Sequence, residues 1–524
     1  MGSRVLAILL ILVALLACGH AAWLNRAYIP DDTFILLRYA QNVIDGHGPV
    51  WNPGGERVEG YTSLAALLLI SGLGAVGMDL VTAARGVNLL ALLALVGYLC
   101  WFFRWRARQA ADDNREPDPL LLALPIALVL GSFPLAIWVM GALEGPLFCL
   151  VVTVAVGNCL VLIRERTTRW VWRAGLALGC TILVRPDGGI FGVIAGLWVL
   201  WSLRPFTVPA RRLALIFTGT VLLLPVMQLL WRLAYYSAWL PNTVYAKATG
   251  LPAEVSRHGL EYLWEFLREP PYLPWLALIG LAITLWRRRP NNETLLPLAC
   301  LLGYAGMVVY AGGDCMDAHR LLLPLLPLSV LVLFDSLQWA LRGRGRVVTL
   351  GALLLPVGLL AMQLDHFTPL RDDQTTFVGR IVGEHIRNRW SASTTIALNT
   401  AGTTPYYAPQ YRYIDMLGLN DRHIARRKVE SIQLKWQRIP GHCKGDGDYV
   451  LERDPDIIIL GPAAGVQKHR PWFLSDLELV ENPEFLRRYE PRLEGIDVTG
   501  YAGIERFDVT REGVLVFTYY ERIR

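Results

Sequence analysis

The sequence predicts a polytopic α-helical membrane protein carrying a C-terminal α/β domain, and three observations predict it. Of 524 residues, 54% are hydrophobic and only 18% charged, with a mean hydropathy of +0.37; a soluble chain of this length carries more charge. The apolar residues gather into runs of bilayer-crossing length. From about residue 366 the runs shorten to strand length, and charged and turn residues separate them. The net charge of +6 is modest and lies in loops between apolar runs, so it does not point to nucleic acid.

Eleven crossings can be drawn, at residues 4–22, 85–103, 119–138, 145–163, 172–187, 188–203, 213–234, 272–286, 294–311, 321–341 and 347–365. Of the 50 basic residues, 5 are lysine and 45 are arginine. Their dense groups are Arg104/Arg106/Arg108, Arg164/Arg166/Arg169/Arg173, Arg204/Arg211/Arg212, Arg287/Arg288/Arg289 and Arg342/Arg344/Arg346. Basic residues collect in cytoplasmic loops, which orients the chain in a plasma (inner) membrane with the N-terminus cytoplasmic and the C-terminal domain periplasmic. The apolar stretch 64–81 would place Arg104 and its neighbours outside if it crossed. It is read as an interfacial or re-entrant helix within a first outer loop, 23–84. Residues 255–270 read as a second surface helix, and an extra crossing is the alternative for each. The first segment, Arg4 to Cys18, has a trace of a lipoprotein signal and is read as an uncleaved anchor.

These assignments divide the chain into a transmembrane domain, 1–365, and a soluble domain, 366–524. Strands are expected at 394–399, 412–416, 456–460 and 514–519, with a helix at 376–390. The stretches Asn399-Thr-Ala-Gly-Thr-Thr-Pro-Tyr-Tyr407 and Asp415-Met-Leu-Gly-Leu-Asn-Asp421-Arg-His423 follow expected strands, where α/β folds bind ligands; tight turns docking the domain would look the same. Six of the eight cysteines fall in or beside spans as small packing residues. Cys315 and Cys443 fall on the outer side, where a disulfide between them is conceivable.

Sorting the remaining ionisable residues by side puts most of them at one interface. Asp31 and Asp32 stand in Tyr28-Ile-Pro-Asp-Asp-Thr-Phe, just beyond the first apolar segment. Glu59, Glu144, Arg185, Lys247, Asp314, His319 and Arg320 fall on the same outer rim. Ionisable groups at a membrane are unfavourable and mark pairing or function. Adjacent carboxylates there suit a general base, although a helix N-terminus also attracts acidic residues. Lys247 is the only lysine before Lys428.

The blocks Asp31-Asp32 with Arg38-Tyr39, Gly46-His-Gly-Pro-Val-Trp-Asn52-Pro, Gly55-Glu-Arg-Val-Glu-Gly-Tyr-Thr62, the segment around Glu144, Arg185-Pro-Asp-Gly, Leu240-Pro-Asn-Thr-Val-Tyr-Ala-Lys247, Gly312-Gly-Asp and Ile414-Asp-Met-Leu-Gly-Leu-Asn-Asp421 run in order from about residue 25 to 450. Together they resemble the bacterial membrane arabinofuranosyltransferases. These are C-type (GT-C) glycosyltransferases similar to the mycobacterial terminal arabinofuranosyltransferase. Two positions depart from that pattern: Cys315 stands where an aromatic residue is common, and Gly145 follows Glu144 where threonine is usual.

The resemblance implies transfer of a sugar, D-arabinofuranose first among them, from a polyprenyl-phosphate carrier such as decaprenyl-phosphate arabinose to an extracytoplasmic polysaccharide, lipid or protein. It implies that Asp31 or Asp32 is catalytic; Asp31 is the first choice, with Asp32 orienting it, binding sugar or holding a cation. The leaving phosphate needs fixed cations, for which Lys247, Arg320 and Arg185 are the candidates. Snorkelling for Lys247 and structural pairing with Asp314 and Asp187 for the arginines are the alternatives. Sugar or acceptor contacts are expected from Arg38, Asn52, Glu59, Tyr61, Glu144, Asn242, Tyr245, Asp314, His319, Asp421 and His423. Asp32, Glu144 and Asp314 are the candidates for a divalent cation such as Mg2+, Mn2+ or Ca2+. A transferase of mannose or aminoarabinose remains open, as does a transporter of a polyprenyl-linked glycan. A transporter would be expected to carry mid-membrane charges and repeated halves.

Overall fold

A computed structural model of the chain describes residues 3–109, 118–204, 207–248, 252–270, 272–287, 291–341, 358, 370, 373–504, 510–511 and 513–523. Its first part is helical: α1 (Ser3–Leu24), α2 (Asp31–Ile44), α3 (Leu64–Ala75), α4 (Leu80–Gln109), α5 (Pro119–Leu130), α6 (Phe133–Met140), α7 (Gly145–Glu165) and α8 (Thr168–Val184). There follow α9 (Gly189–Leu203), α10 (Val208–Tyr236), α11 (Asn242–Lys247), α12 (Pro252–Leu267), α13 (Leu273–Trp286), α14 (Asn292–Ala311) and α15 (Leu325–Leu341).

Among the described residues six helices are long and apolar enough to cross a bilayer: α1, α4, α7, α9 with the turn before it, α10 and α14. Helices α5 and α6 become a seventh if they form one span, bent by 61°. The bend has a local cause. Gly131 and Ser132 separate the two helices, and Pro134 in the first turn of α6 has no N–H with which to continue the ladder. The crossings expected at 172–187, 272–286 and 321–341 are helical but short. At about 1.5 Å per residue the 14 residues of α13 reach roughly 21 Å, against a hydrocarbon core of about 30 Å. The eleventh, 347–365, lies outside the described residues but for residue 358.

The two apolar stretches read as surface helices are helices too short to span. Helix α3 has 12 residues and exposes Leu68 and Leu69. Helix α12 buries Val255, Tyr262 and Phe266 against the protein and exposes Leu260 and Trp264 beside Arg257 and Glu261.

The helices run between two chemically distinct ends. At one end Arg106 Nη2 meets Asp335 Oδ2 at 2.5 Å, Arg164 meets Glu293 at 3.4 Å, and Arg166 donates to the Ser202 carbonyl. At the other, α7 starts beside Glu144 and α8 ends at Arg185. The 21 residues of α7 hold the two ends about 30 Å apart.

The C-terminal part contains a mixed sheet of β1 (Thr395–Leu398), β2 (Arg412–Asp415), β3 (Ile457–Ile459), β4 (Tyr489–Asp497), β5 (Thr510–Arg511) and β6 (Val514–Arg522). The order is β2-β1-β3-β6-β4, with β5 also on β6. Strands β2, β1 and β3 are parallel, and β6 is antiparallel to its partners. Four of these strands lie where apolar runs of strand length predict them. Strand β4 was not anticipated: Tyr-Glu-Pro-Arg-Leu-Glu-Gly-Ile-Asp has no apolar run, and it survives as an edge strand, where Pro491 needs no ladder partner. The expected helix 376–390 is found at Gln374–Ile386, with Asp373 accepting from the N–H groups of Thr375 and Thr376.

The carboxyl ends of the three parallel strands face the bundle. The segments after β1, β2 and β3 contribute Asn399 to Ala401, Leu417 and Leu419, and Gly461 and Pro462 to a cavity whose other wall is the carboxylate-bearing end of the helices.

Candidate active site

The site is built around the start of α2. Pro30 is extended (φ −77°, ψ 156°) and Asp31 and Asp32 occupy the first turn, where the helix dipole favours negative charge. Residues Thr33 to Ala40 are buried, and Thr33 Oγ1 donates to the Gly141 carbonyl at 3.0 Å, fixing the helix against the bundle. Neighbours on a helix point about 100° apart. The two carboxylates consequently meet different surroundings.

Asp31 faces the C-terminal domain. Its Oδ1 accepts from Thr403 N and Thr403 Oγ1, both at 2.7 Å, and its Oδ2 accepts from Gly402 N at 2.9 Å. Burial pushes its carboxyl up to about 7 against the pull of the Thr403 donors. Asp32 faces the helices, one-third exposed, with Oδ2 3.6 Å from Arg320 Nη2, and among the described residues it accepts no hydrogen bond. Both carboxylates line the cavity between the bundle rim and the C-terminal domain: Asp31 is held against the start of the 403–407 helix, and Asp32 presents the open carboxylate.

The Asp31 contact carries a pH signature. A carboxyl raised from its ordinary 3.8 to about 7 binds its proton more tightly in the folded than in the unfolded chain, so its contribution is full below about pH 4 and is lost as pH rises through about 7. The melting-temperature advantage of the wild type over Asp31→Asn is expected to shrink across that window. Thermal unfolding of both proteins over the same pH series checks it.

Two cavities share Asp32, Ile35, Lys247 and Leu419. The larger, of about 400 Å³, lies between the bundle rim and the C-terminal domain and is lined by Tyr28, Asp31, Asp32, Lys247, Asp314, Asp373, Asn399, Trp436, His442 and Trp472 among others. The smaller, of about 30 Å³, lies deeper and adds Tyr61, Glu144 and Arg320. Arg320 Nε donates to Asp314 Oδ2. Burial alone would raise the Asp314 carboxyl, but Arg320, Lys247 and Arg185 overcome it and hold the group below the usual range. Lys247, the last residue of α11, lines both cavities and among the described residues forms no ion pair.

Arg185, expected at the donor phosphate, is engaged elsewhere. Its Nη1 lies 2.5 Å from Glu144 Oε1 and its Nε 2.9 Å from Asp187 Oδ1, while Tyr304 donates to Asp187 at 3.1 Å. The cluster is a buried structural network, and Arg185 lines neither cavity. Glu59, expected to contact sugar, is held by Arg232 through Nε to Oε2 and Nη2 to Oε1, with both side chains buried. Removing one partner of a buried pair strands a charge. Arg232→Met is therefore expected to destabilise the protein by about 3–5 kcal/mol, most of it recovered in Arg232→Met/Glu59→Leu, as read by unfolding midpoints.

Several other expected sugar contacts prove to dock the domain. Arg38 donates to the Trp51 carbonyl at 2.8 Å and to the Pro405 carbonyl, under Tyr413 at 5.1 Å. Asn52 pairs with Tyr413 through both amide atoms, at 2.8 and 3.2 Å. Asn242 Nδ2 donates to the carbonyls of Gly418, Leu419 and Asp421. Asp421 caps the Arg422–Arg426 helix by accepting from Ile424 N, and His423 stacks on Tyr449 at 4.0 Å and meets Asp446. Tyr245 lies against Arg426, and His319 packs among Tyr262, Phe266 and Glu265. Of the expected sugar contacts, Asp314, Tyr61 and Glu144 do line a cavity.

Glu144 and Asp314 are each taken by an arginine, and among the described residues no three His, Cys, Asp or Glu side chains gather as a metal site. The candidate cation set of Asp32, Glu144 and Asp314 does not fit one. Cys315 and Cys443 are both free thiols, the first exposed and the second buried.

A family described as Domain of unknown function (DUF8728) matches residues 366–516. The chain is 29% identical over 299 residues to a terminal beta-(1->2)-arabinofuranosyltransferase of Mycobacterium tuberculosis, covering 52% of this chain and 43% of that protein. It is 29% identical over 368 residues to the protein of the same name from Corynebacterium glutamicum, covering 61% and 50%. The chain spans about half the length of these curated relatives. A crystal structure of ArnT from Cupriavidus metallidurans bound to undecaprenyl phosphate superposes with a TM-score of 0.50 at 11% identity, covering 98% of this chain and 97% of that one. The fold is accordingly ArnT-like, and the sequence is similar to curated arabinofuranosyltransferases.

Proposed function

We infer that the protein is a multi-pass membrane glycosyltransferase that moves a sugar from a polyprenyl-phosphate donor to an extracytoplasmic acceptor. The observation that carries this reading is one carboxylate, Asp32, sharing a cavity with Lys247 while Arg320 stands 3.6 Å away. The arginine-lined end of the bundle faces the cytoplasm of an inner membrane on this reading, and the cavity opens on the periplasmic side beneath the C-terminal domain. D-Arabinofuranose is the favoured sugar because the relatives at 29% identity carry that name. The ArnT neighbour was crystallised with undecaprenyl phosphate, and a lipid of that class suits a site at the membrane rim.

In this reaction the acceptor hydroxyl gives its proton to Asp32 and its oxygen bonds the anomeric carbon. The bond from that carbon to the phosphate oxygen breaks, and its electron pair stays on the departing phosphate monoester. Lys247 and Arg320 meet the added charge. With retention of configuration the same carboxylate would instead face the anomeric carbon as nucleophile or stabiliser, and the anomeric form of the product separates the two. The test is turnover of purified protein offered decaprenyl-phosphate arabinose, polyprenyl-phosphate mannose and polyprenyl-phosphate aminoarabinose, each with a polysaccharide, lipid or protein acceptor. Consumption of the arabinose donor is expected. Consumption of another donor alone moves the reading to that sugar, and movement of an intact lipid-linked glycan across vesicles without cleavage would replace it with transport.

A further inference from the structure

The wall of the larger cavity supplied by the C-terminal domain has a composition unlike the charged wall opposite. Trp436 and Trp472 stack with ring centroids 5.8 Å apart and planes 7° from parallel. Behind them His442 and Phe473 stack at 5.7 Å and 27°. All four line the cavity that holds Asp32 and Lys247, and Trp472 remains 38% exposed. The indoles stack on each other and Lys435 Nζ lies 5.7 Å from the Trp436 ring centroid, so the open part of Trp472 is the flat apolar surface offered to the cavity.

The same wall holds an acceptor atom with nothing to accept. Asn399 is 4% exposed. Its Nδ2 donates to Asp476 Oδ1 at 2.9 Å and to the Gly461 carbonyl at 3.3 Å. Both partners are acceptors, which fixes which amide atom is nitrogen and leaves Oδ1 as the other. That Oδ1 is buried without a hydrogen-bond partner among the described residues, an unfavourable arrangement unless a ligand or water donates to it. His442 Nδ1 is in the same position.

One buried residue organises the part of the wall that holds Asn399 and Trp472. Asp476 Oδ2 accepts from the N–H groups of Gly461, Trp472 and Phe473 at 3.0–3.1 Å while Oδ1 takes Asn399. A single carboxylate thereby sets the stacking surface and the unsatisfied amide in fixed relation. It acts through them as a positioning residue.

We propose that this wall is the acceptor subsite and that it binds a neutral carbohydrate, a sugar ring lying on Trp472 and Trp436 with a hydroxyl donating to Asn399 Oδ1. The C–H face of a furanose or pyranose ring is apolar and matches an indole surface, and its hydroxyls are the donors that Asn399 and His442 lack. Lys435 lies against the Trp436 ring and does not line the cavity; the cavity's own cation, Lys247, stands on the opposite wall. The proposal rests on the glycosyltransferase reading, yet binding can be measured without turnover.

Full-length protein in lipid nanodiscs is mixed with linear arabinofuranosyl and mannosyl oligosaccharides, without donor, and followed by saturation-transfer NMR and tryptophan fluorescence. Wild type is expected to bind one of these series. Trp472→Ala and Asn399→Ala are expected to weaken binding about tenfold each, Trp472→Phe to recover most of it, and Trp264→Ala, an exposed tryptophan of α12 outside both cavities, to bind as wild type does. Absence of binding by the wild type, equal binding by Trp472→Ala, Asn399→Ala and wild type, or a loss in Trp264→Ala as large as in Trp472→Ala would each overturn the subsite. Intact binding in a protein that consumes no polyprenyl-phosphate sugar would overturn the transferase reading alone.

Discussion

Asp32→Asn is expected to lower sugar transfer by about a hundredfold to ten-thousandfold, the range over which a positioned base acts. The reason lies in the orientation of α2. Asp32 lines both cavities and lies 3.6 Å from Arg320, while its neighbour has its oxygens taken by Gly402 and Thr403. An amide at position 32 keeps the size and loses both the proton acceptor and the charge. Asp31→Asn is expected to retain measurable transfer at a lowered melting temperature, because what it loses is a domain contact. Initial rates with saturating acceptor, set beside unfolding midpoints for both variants, separate the two roles. Equal residual activity in the pair would show that the carboxylates work as one unit.

Lys247→Met is expected to lower kcat/KM for the donor about a hundredfold, with the acceptor KM little changed. A fixed cation beside a leaving group is worth about that much where water is excluded. Lys247 ends α11 where the two cavities meet, and among the described residues it forms no salt bridge, although its charge helps hold Asp314 ionised. Methionine keeps the stem and removes the charge. Lys247→Arg should recover part of the rate, since the charge returns with a different reach. A rate defect that depends on acceptor concentration instead of donor would place Lys247 on the other substrate.

Much of this site can be read from the chain, and the boundary of legibility is physical. Asp31-Asp32, Lys247, Asp314 and Arg320 stand out because charge beside an apolar run is unfavourable and needs a reason. What a linear sequence does not carry is which way a side chain turns once two parts of the chain meet. Asp31 and Asp32 differ by one residue and by about 100° on a helix, and that angle separates a domain contact from an open carboxylate. Arg38, Asn52, Asn242 and Asp421 look like sugar-binding polar residues for the same reason. Their partners are mostly backbone atoms brought in by tertiary packing, such as the carbonyls of Pro405, Tyr413 and Gly418. The arginines split in a similar way: Arg185 is absorbed by Glu144 and Asp187, and Arg232 inside α10 was not singled out although it holds Glu59.

The helices obey the same limit. Apolar composition locates most of them, but length along the chain does not decide whether a run crosses, breaks or lies flat. The run 119–138 breaks at Gly131-Ser132 before Pro134, and 64–81 ends as a helix of 12 residues. In the C-terminal domain the parallel strands are apolar enough to be found, while β4 is recognised only through its pairing with β6. Trp436 and Trp472 give no periodic signal; they become a surface because Asp476 holds the Trp472 backbone and the Trp436 ring stacks on its indole.

On the proposed function, a polyprenyl phosphate enters the bundle at the rim where Asp32 shares a cavity with Lys247 and lies beside Arg320. The most direct measurement is a cryo-electron microscopy structure of the full chain with decaprenyl phosphate in a nanodisc. The phosphate is expected within hydrogen-bonding distance of Lys247 and Arg320, with its ester oxygen turned toward the cavity that holds Asp32. A phosphate bound instead at the opposite end, beside Arg106 and Arg164, or a lipid that leaves Lys247 and Arg320 without contact, would contradict the account.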